Sequence, residues 1–63
     1  MIVHTITNRQ WNILNLDAFS TNKKLSRYIL DKYHGVFKRG YNNSPGTIVF
    51  KHNQDLTLFL LSI

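Results

Sequence analysis

The feature that most restricts how this chain can fold is the absence of cysteine from a sequence of only 63 residues. A domain of this size buries about 60% of the surface that its unfolded chain exposes, so its core is small. Without cysteine it has no disulfide, no thiolate nucleophile and no cysteine-bound metal. The sequence therefore predicts one small domain, residues 1–63, built from packed helices and strands, and it is typical of a reducing compartment such as the cytoplasm.

No segment of the sequence predicts export or a membrane anchor. The first residues, Met1–Thr5, lack the basic start and the apolar stretch of a signal peptide. The longest uninterrupted apolar run, Leu58–Leu61, is far shorter than the roughly 20 residues that a membrane-spanning helix needs. We therefore expect a soluble, cytoplasmic protein that does not engage a membrane.

The first third of the chain predicts a strand followed by a segment of ambiguous type. Ile2–Ile6 is rich in β-branched residues, which favour strands. In residues 9–19, Trp11, Leu14 and Ala18 lie on one helical stripe, although the apolar residues there also alternate. We favour a helix for this segment, with a hairpin back onto the first strand as the alternative.

The clearest pattern is an amphipathic helix between residues 20 and 35. Ser20-Thr21-Asn22 supplies three candidate N-caps, and His34-Gly35 has the composition of a last-turn imidazole followed by a C-terminal glycine. Apolar residues recur on one face at helical spacing, and the opposite arc is mainly basic. The apolar face consists of Leu25, Tyr28, Ile29 and Tyr33, widened by Leu30.

The C-terminal half predicts three strands joined by turns. Residues 36–41 form the first, residues 42–46 are bend-favouring, and residues 47–51 form the second. His52–Asp55 has the length of a hairpin loop, and Leu56–Ile63 is the third strand. That last strand is apolar on both faces. If it lay at an exposed edge of the sheet, it would pair with a second molecule and form a homo-oligomer.

Together these elements predict an α+β fold in which one amphipathic helix packs on an antiparallel sheet of three or four strands. The element order is β-α-β-β-β, with an extra short helix at residues 9–19. The three C-terminal strands form a meander, and the first strand is added to that sheet.

The charge of the chain is concentrated in one stretch. The formal net charge is +5, and between Lys23 and Arg39 six cations face a single carboxylate, Asp31. Arg27 is spaced to pair with that carboxylate across one helical turn. Elsewhere two basic residues balance two aspartates. Charge clustered in this way favours an anionic partner, either nucleic acid or an acidic protein surface.

Two basic motifs are candidate anion-binding sites. In the first, the hydroxyls of Ser20 and Thr21 and the ammonium groups of Lys23 and Lys24 surround the predicted start of the amphipathic helix. Unpaired N–H groups at a helix start favour phosphate, and Arg27 extends the basic face by one turn. The alternative is an ordinary helix cap beside solvated lysines.

The second motif is Lys38-Arg39-Gly40-Tyr41, a basic pair followed by glycine and an aromatic residue. Cations in such a loop hold phosphate while a ring stacks on a base. Strand alternation places Arg39 and Tyr41 on one face with Phe37, and Lys38 on the other. The same alternation also fits a half-buried strand from which the Arg39 side chain reaches solvent.

The histidines raise an enzymatic alternative. His34 and His52 have the composition of an acid–base pair, with Lys51 to stabilise negative charge. Asp55 would orient an imidazole, which completes the set that a metal-independent ribonuclease needs. Nothing in the spacing brings the two histidines together, so we expect a non-catalytic protein without cofactor or metal. His4 lies on a predicted strand and is expected to be structural.

The sequence thus supports two main hypotheses. In the first, the protein is a small basic nucleic-acid-binding protein that contacts mainly the phosphates of DNA or RNA. In the second, it is a protein–protein interaction module, an inhibitor or adaptor that docks on an acidic host protein. A small chain rich in Asn and Ile is compatible with a phage or mobile element, which would favour the second hypothesis. Ribonuclease activity is the third alternative.

Overall fold

The computed structural model describes all 63 residues as three helices and a three-stranded antiparallel sheet. In chain order the elements are β1 (Ile2–Thr5), α1 (Asn8–Ser20), α2 (Leu25–Tyr33), β2 (Gly35–Arg39), β3 (Gly46–Phe50) and α3 (Asn53–Ser62). The predicted α+β fold is confirmed. The helix favoured at residues 9–19 is present, whereas the last predicted strand is not.

The sheet has the strand order β1-β3-β2, so β3 is central and pairs antiparallel with both neighbours. Ile48 and Phe50 of β3 are fully buried beneath the helices. Side chains alternate across the sheet, and the opposite face presents Val3 and Val36, which are 63% and 52% exposed. The helices therefore cover only one face of the sheet.

The start of α1 is defined by a reciprocal capping interaction between Thr7 and Gln10. The Thr7 hydroxyl accepts from the Gln10 backbone N–H at 3.1 Å, and the Gln10 side-chain oxygen accepts from the Thr7 backbone N–H at 3.0 Å. Leu14 and Ala18 are buried and Trp11 is half-buried, so the predicted helical stripe is confirmed. The sequence therefore selects helix over hairpin here through both its cap and its periodicity.

The C-terminal segment is the main error of the sequence prediction, because residues 53–62 form a helix and no strand lies at residues 56–63. Leucine has high helix propensity, and the segment contains few β-branched residues. Leu56, Phe59 and Ile63 recur at helical spacing and turn toward the core. The predicted hairpin loop is instead the start of α3, with His52 as N-cap and Asp55 in the first turn.

Because the C-terminal segment is a helix, the chain has no C-terminal strand that could pair with a second copy, and the predicted route to a homo-oligomer is absent. The sheet edges are β1 and β2 instead. Leu58, Leu60 and Leu61 of α3 are exposed.

The core lies between the sheet and the helices and is small and aromatic. Phe59 is fully buried, with its ring centroid 5.0 Å from that of Tyr33 and 5.7 Å from that of Phe50. Phe19 lies outside this core and is 86% exposed. The nine buried apolar residues are Ile6, Leu14, Ala18, Tyr28, Ile29, Tyr33, Ile48, Phe50 and Phe59.

Candidate nucleic-acid interface

The candidate interface is positioned by α2 and β2, which are joined by His34. Ser26 and Arg27 of α2 line a shallow depression together with Gly35, Val36 and Phe37 of β2, so the first half of the helix lies beside the strand. One basic motif directly precedes these helix residues and the other directly follows these strand residues, so both belong to this helix–strand unit. We call the side chains of Lys23, Lys24, Arg27, Lys38 and Arg39 the basic end.

One carboxylate neutralises part of the basic end. Asp31 Oδ2 lies 3.2 Å from Lys23 Nζ and 3.3 Å from Arg27 Nε, which confirms the predicted Arg27–Asp31 pair and adds a second partner. The hydrogen bond from Lys23, together with the nearby charge of Arg27, lowers the pKa of Asp31. The chain contains no other ion pair, so Lys24, Lys38 and Arg39 have no carboxylate partner.

The remaining cation of the predicted basic stretch, Lys32, is directed elsewhere. Its Nζ donates to the Tyr28 hydroxyl at 3.1 Å and lies 5.5 Å and 5.4 Å from the ring centroids of Tyr28 and Tyr33. The hydrogen bond with Tyr28 raises the pKa of Lys32. Lys32 therefore packs on two tyrosine rings of its own helix, and its charge lies outside the basic end.

Ser20, Thr21 and Asn22 do not cap α2 as the sequence suggested. Ser20 is the last residue of α1, and the Thr21 hydroxyl donates to the carbonyl oxygens of Asp17 and Ala18 at 3.0 and 3.1 Å. Asn22 adopts a left-handed conformation with φ 59°, which asparagine tolerates, and so ends α1.

This local structure removes the predicted phosphate cradle. The N-cap of α2 is Lys24, which makes no side-chain capping hydrogen bond. The hydroxyls of Ser20 and Thr21 therefore lie at the C-terminal end of one helix and not around the N-terminus of the next. Lys23 and Lys24 stay in the candidate interface as exposed cations.

The β2–β3 connection presents an exposed aromatic ring. Asn42 and Asn43 both have positive φ angles, 52° and 70°, and the Ser44 N–H donates to the Tyr41 carbonyl at 3.0 Å. These features define a tight turn that asparagine favours. Tyr41 lies in this turn, beyond the end of β2, so it does not share a strand face with Arg39 as predicted. Its side chain is 86% exposed.

A depression between the start of α1 and the β2–β3 turn brings Trp11 beside Arg39. Trp11 is stacked on Phe37, with ring centroids 5.8 Å apart and an angle of 26° between the planes. Asn8 and Asn43 also line this depression. Sequence reasoning found Arg39 but missed the other three, because only the tertiary fold brings residues 8 and 11 to the turn.

The three histidines fall into two groups. His4 is half-buried, its Nε2 lies 2.9 Å from Gln10 Oε1, and its ring packs edge-on against Phe59 at 5.3 Å, so its expected structural role is confirmed. His34 and His52 are exposed and line one depression together with Lys51 and Asp55. The structure thus brings together two histidines that the sequence spacing left apart.

No three histidine, aspartate or glutamate side chains are grouped to hold a metal ion. None of the three helices has the length and hydrophobicity required to cross a membrane. Comparison of the chain with protein-family models, with curated proteins and with solved structures gives no match. The residues of the site are therefore the basis for inferring function.

Proposed function

We propose that this protein binds nucleic acid through its basic end, mainly by contacts with phosphates. The observation that carries the proposal is the placement of Lys24, Lys38 and Arg39. These three cations have no carboxylate partner, and the exposed Tyr41 ring lies two residues after Arg39. A polyanion gains most from charges that are not already neutralised within the protein.

The chemistry of such an interface is electrostatic with an aromatic addition. Lysine and arginine side chains hold phosphate oxygens, and the release of counterions from the nucleic acid makes the affinity fall with salt. The Tyr41 ring is free to stack on an unpaired base, an interaction of about 1–3 kcal/mol. Arg39 lies next to Asn8 and Asn43, whose amides can donate to phosphate or accept from a base edge.

The proposal is tested by removing one unpaired charge at a time. Lys24→Gln, Lys38→Gln and Arg39→Gln should each weaken binding of a labelled oligonucleotide, measured by fluorescence anisotropy. Each change should also reduce the slope of log K against log salt by about 0.7–0.9, the value expected for one phosphate contact. The matched control is Lys32→Gln, which removes the same charge outside the basic end and should leave that slope nearly unchanged. Equal effects at all four positions would contradict a localised interface.

One observation favours the second hypothesis, docking on an acidic protein. Phe19 is 86% exposed at the end of α1 and is followed within five residues by Lys23 and Lys24. An exposed aromatic residue bordered by cations is typical of an interface that combines apolar burial with electrostatic attraction. Phe19→Ala should leave oligonucleotide binding unchanged if nucleic acid is the partner, and Tyr41→Ala should weaken binding to single strands. A protein that is captured from a nuclease-treated lysate by Tyr41→Ala, but not by Phe19→Ala, would favour a protein partner.

A further inference from the structure

A second site lies at the other end of the α2–β2 unit. The depression there has a volume of about 550 Å³ and is lined by His34, Lys51, His52 and Asp55 around apolar side chains that include Leu30 and Val36. These four polar residues come from three places in the chain: the α2–β2 junction, the end of β3 and the first turn of α3. None of the four side chains makes a hydrogen bond or ion pair within the protein.

Both histidines stand at helix ends, and neither imidazole makes a hydrogen bond there. His34 ends α2 in a left-handed conformation with φ 57°, where glycine or asparagine is the usual residue. His52 is the N-cap of α3 but makes no side-chain capping hydrogen bond, where serine, threonine, aspartate or asparagine would. Neither ring is engaged within the protein, so both rings are free to act on a ligand.

We infer that this depression is a centre for cleavage of RNA by proton transfer between imidazoles. In the reaction, a neutral imidazole takes the proton of a ribose 2′-hydroxyl while O2′ forms a bond to the adjacent phosphorus. The P–O5′ bond breaks, and the other imidazole, protonated at the start, gives its proton to O5′. The products are a 2′,3′-cyclic phosphate and a 5′-hydroxyl, so no water or other reactant is consumed.

The other two polar groups match the charge changes in this step. The Lys51 ammonium stabilises the negative charge that grows on the non-bridging phosphate oxygens. The negative charge of Asp55, three residues after His52 in the first turn of α3, attracts a protonated imidazole in the same depression.

The site is connected to the basic end, and in this respect the inference rests on the proposed function. The depression beside Ser26 and Arg27 shares Leu30 and Val36 with the one that contains the histidines, so the surface along α2 and β2 is continuous. The five residues of β2 span about 16 Å. Single-stranded RNA that is bound at the basic end would therefore reach the two imidazoles within a few nucleotides.

The test incubates the full chain with a labelled single-stranded RNA, and with DNA of the same sequence, in a buffer that contains a metal chelator. RNA should be cleaved at one or more pH values between about 5 and 8, with 2′,3′-cyclic phosphate ends, and DNA should stay intact because it lacks the 2′-hydroxyl. His34→Gly and His52→Asn should each lower the cleavage rate by about 100-fold or more. Both replacements suit their helix-terminal positions, so circular dichroism should show a retained fold. Gln54→Ala, beside Asp55 on α3, should cleave like the parent.

Absence of RNA cleavage by the parent protein over that pH range would overturn this inference, as would undiminished cleavage by both histidine variants. Oligonucleotide binding without cleavage would overturn the catalytic centre and leave the proposed function in place. Cleavage that is indifferent to loss of Lys24, Lys38 and Arg39 would support the centre and overturn the proposed binding surface.

Discussion

At the scale of single residues, the junction between α2 and β2 differs from the sequence prediction in which residue ends the helix. The pattern His34-Gly35 suggests that glycine ends the helix, yet His34 has the left-handed φ of 57°. Gly35 belongs to β2, and a Cβ there would lie 2.4 Å from Ile48 Cγ2 and 2.9 Å from Phe50 Cε1. Glycine is required at position 35 by close packing in the core and not by backbone conformation.

This arrangement predicts opposite effects on stability at adjacent positions. His34→Gly relieves an unfavourable left-handed conformation, so the free energy of unfolding should stay the same or rise by up to about 1 kcal/mol. Gly35→Ala forces a methyl group into buried side chains and should lower that free energy by about 1–3 kcal/mol. Urea denaturation measures both values. A destabilising His34→Gly would contradict the structural interpretation and support the sequence interpretation, in which residue 34 is helical and Gly35 has the left-handed conformation.

At the scale of elements, local patterns predict some segments well and others poorly. α2 was predicted because its apolar residues recur at helical spacing over a sufficient length, and Tyr28, Ile29 and Tyr33 are indeed buried. α3 was missed because six of the eight residues from Leu56 to Ile63 are apolar, which hides the periodicity. A nearly continuous apolar run fits a buried strand as well as a helix, and only contacts with the rest of the core decide between them.

The helical assignment of the C-terminal segment has a direct test. In a strand, Phe59 and Leu61 would lie on the same face, whereas in α3 Phe59 is fully buried and Leu61 is 79% exposed. Phe59→Ala should therefore lower the free energy of unfolding by about 3–5 kcal/mol, and Leu61→Ala should change it by less than about 0.5 kcal/mol. Similar losses for both variants would support the strand.

A polar contact between α1 and α2 predicts how stability depends on pH. The Tyr28 hydroxyl donates to Asp17 Oδ2 at 3.1 Å and accepts from Lys32 Nζ at 3.1 Å. Burial raises the pKa of Tyr28, and the hydrogen bond with Tyr28 raises the pKa of Lys32. Since the folded state favours the protonated form of both groups, their contribution is complete below the ordinary tyrosine pKa of 10.0 and is lost as pH rises above it.

Thermal melts between about pH 8 and 11 measure this loss. The Tm of the parent protein should fall through the alkaline range, and Tyr28→Phe, which keeps the ring but not the hydroxyl, should show a smaller fall. Parallel declines in the two proteins would place the alkaline sensitivity elsewhere in the chain.

At the scale of the whole molecule, the sequence predicts the charges of the candidate site but not its geometry. Lys24, Lys38 and Arg39 were identified from local composition, and their position relative to one another depends on how α2 packs beside β2. The approach of Trp11 to Arg39, and of His34 to His52, joins residues far apart in the chain. No local pattern contains that information, because tertiary packing alone determines which loops become neighbours.

The distribution of charge is the property of the whole molecule that bears most directly on function. The chain has a net charge of +5, and its two ion pairs share a single carboxylate, so most of the positive charge is free to attract an external anion. The helix–strand frame of α2 and β2, which carries the basic end, packs on a core of nine buried residues. We expect the electrostatic field of that frame to set the affinity for nucleic acid.

The most direct test of this account is fluorescence anisotropy of a labelled oligonucleotide titrated with the parent protein at several salt concentrations. Contacts by Lys24, Lys38 and Arg39 predict measurable binding at low salt and a slope of log K against log salt of about −2 to −3. Absence of binding at low salt, or an affinity that does not change with salt, would contradict a phosphate-binding role for the basic end.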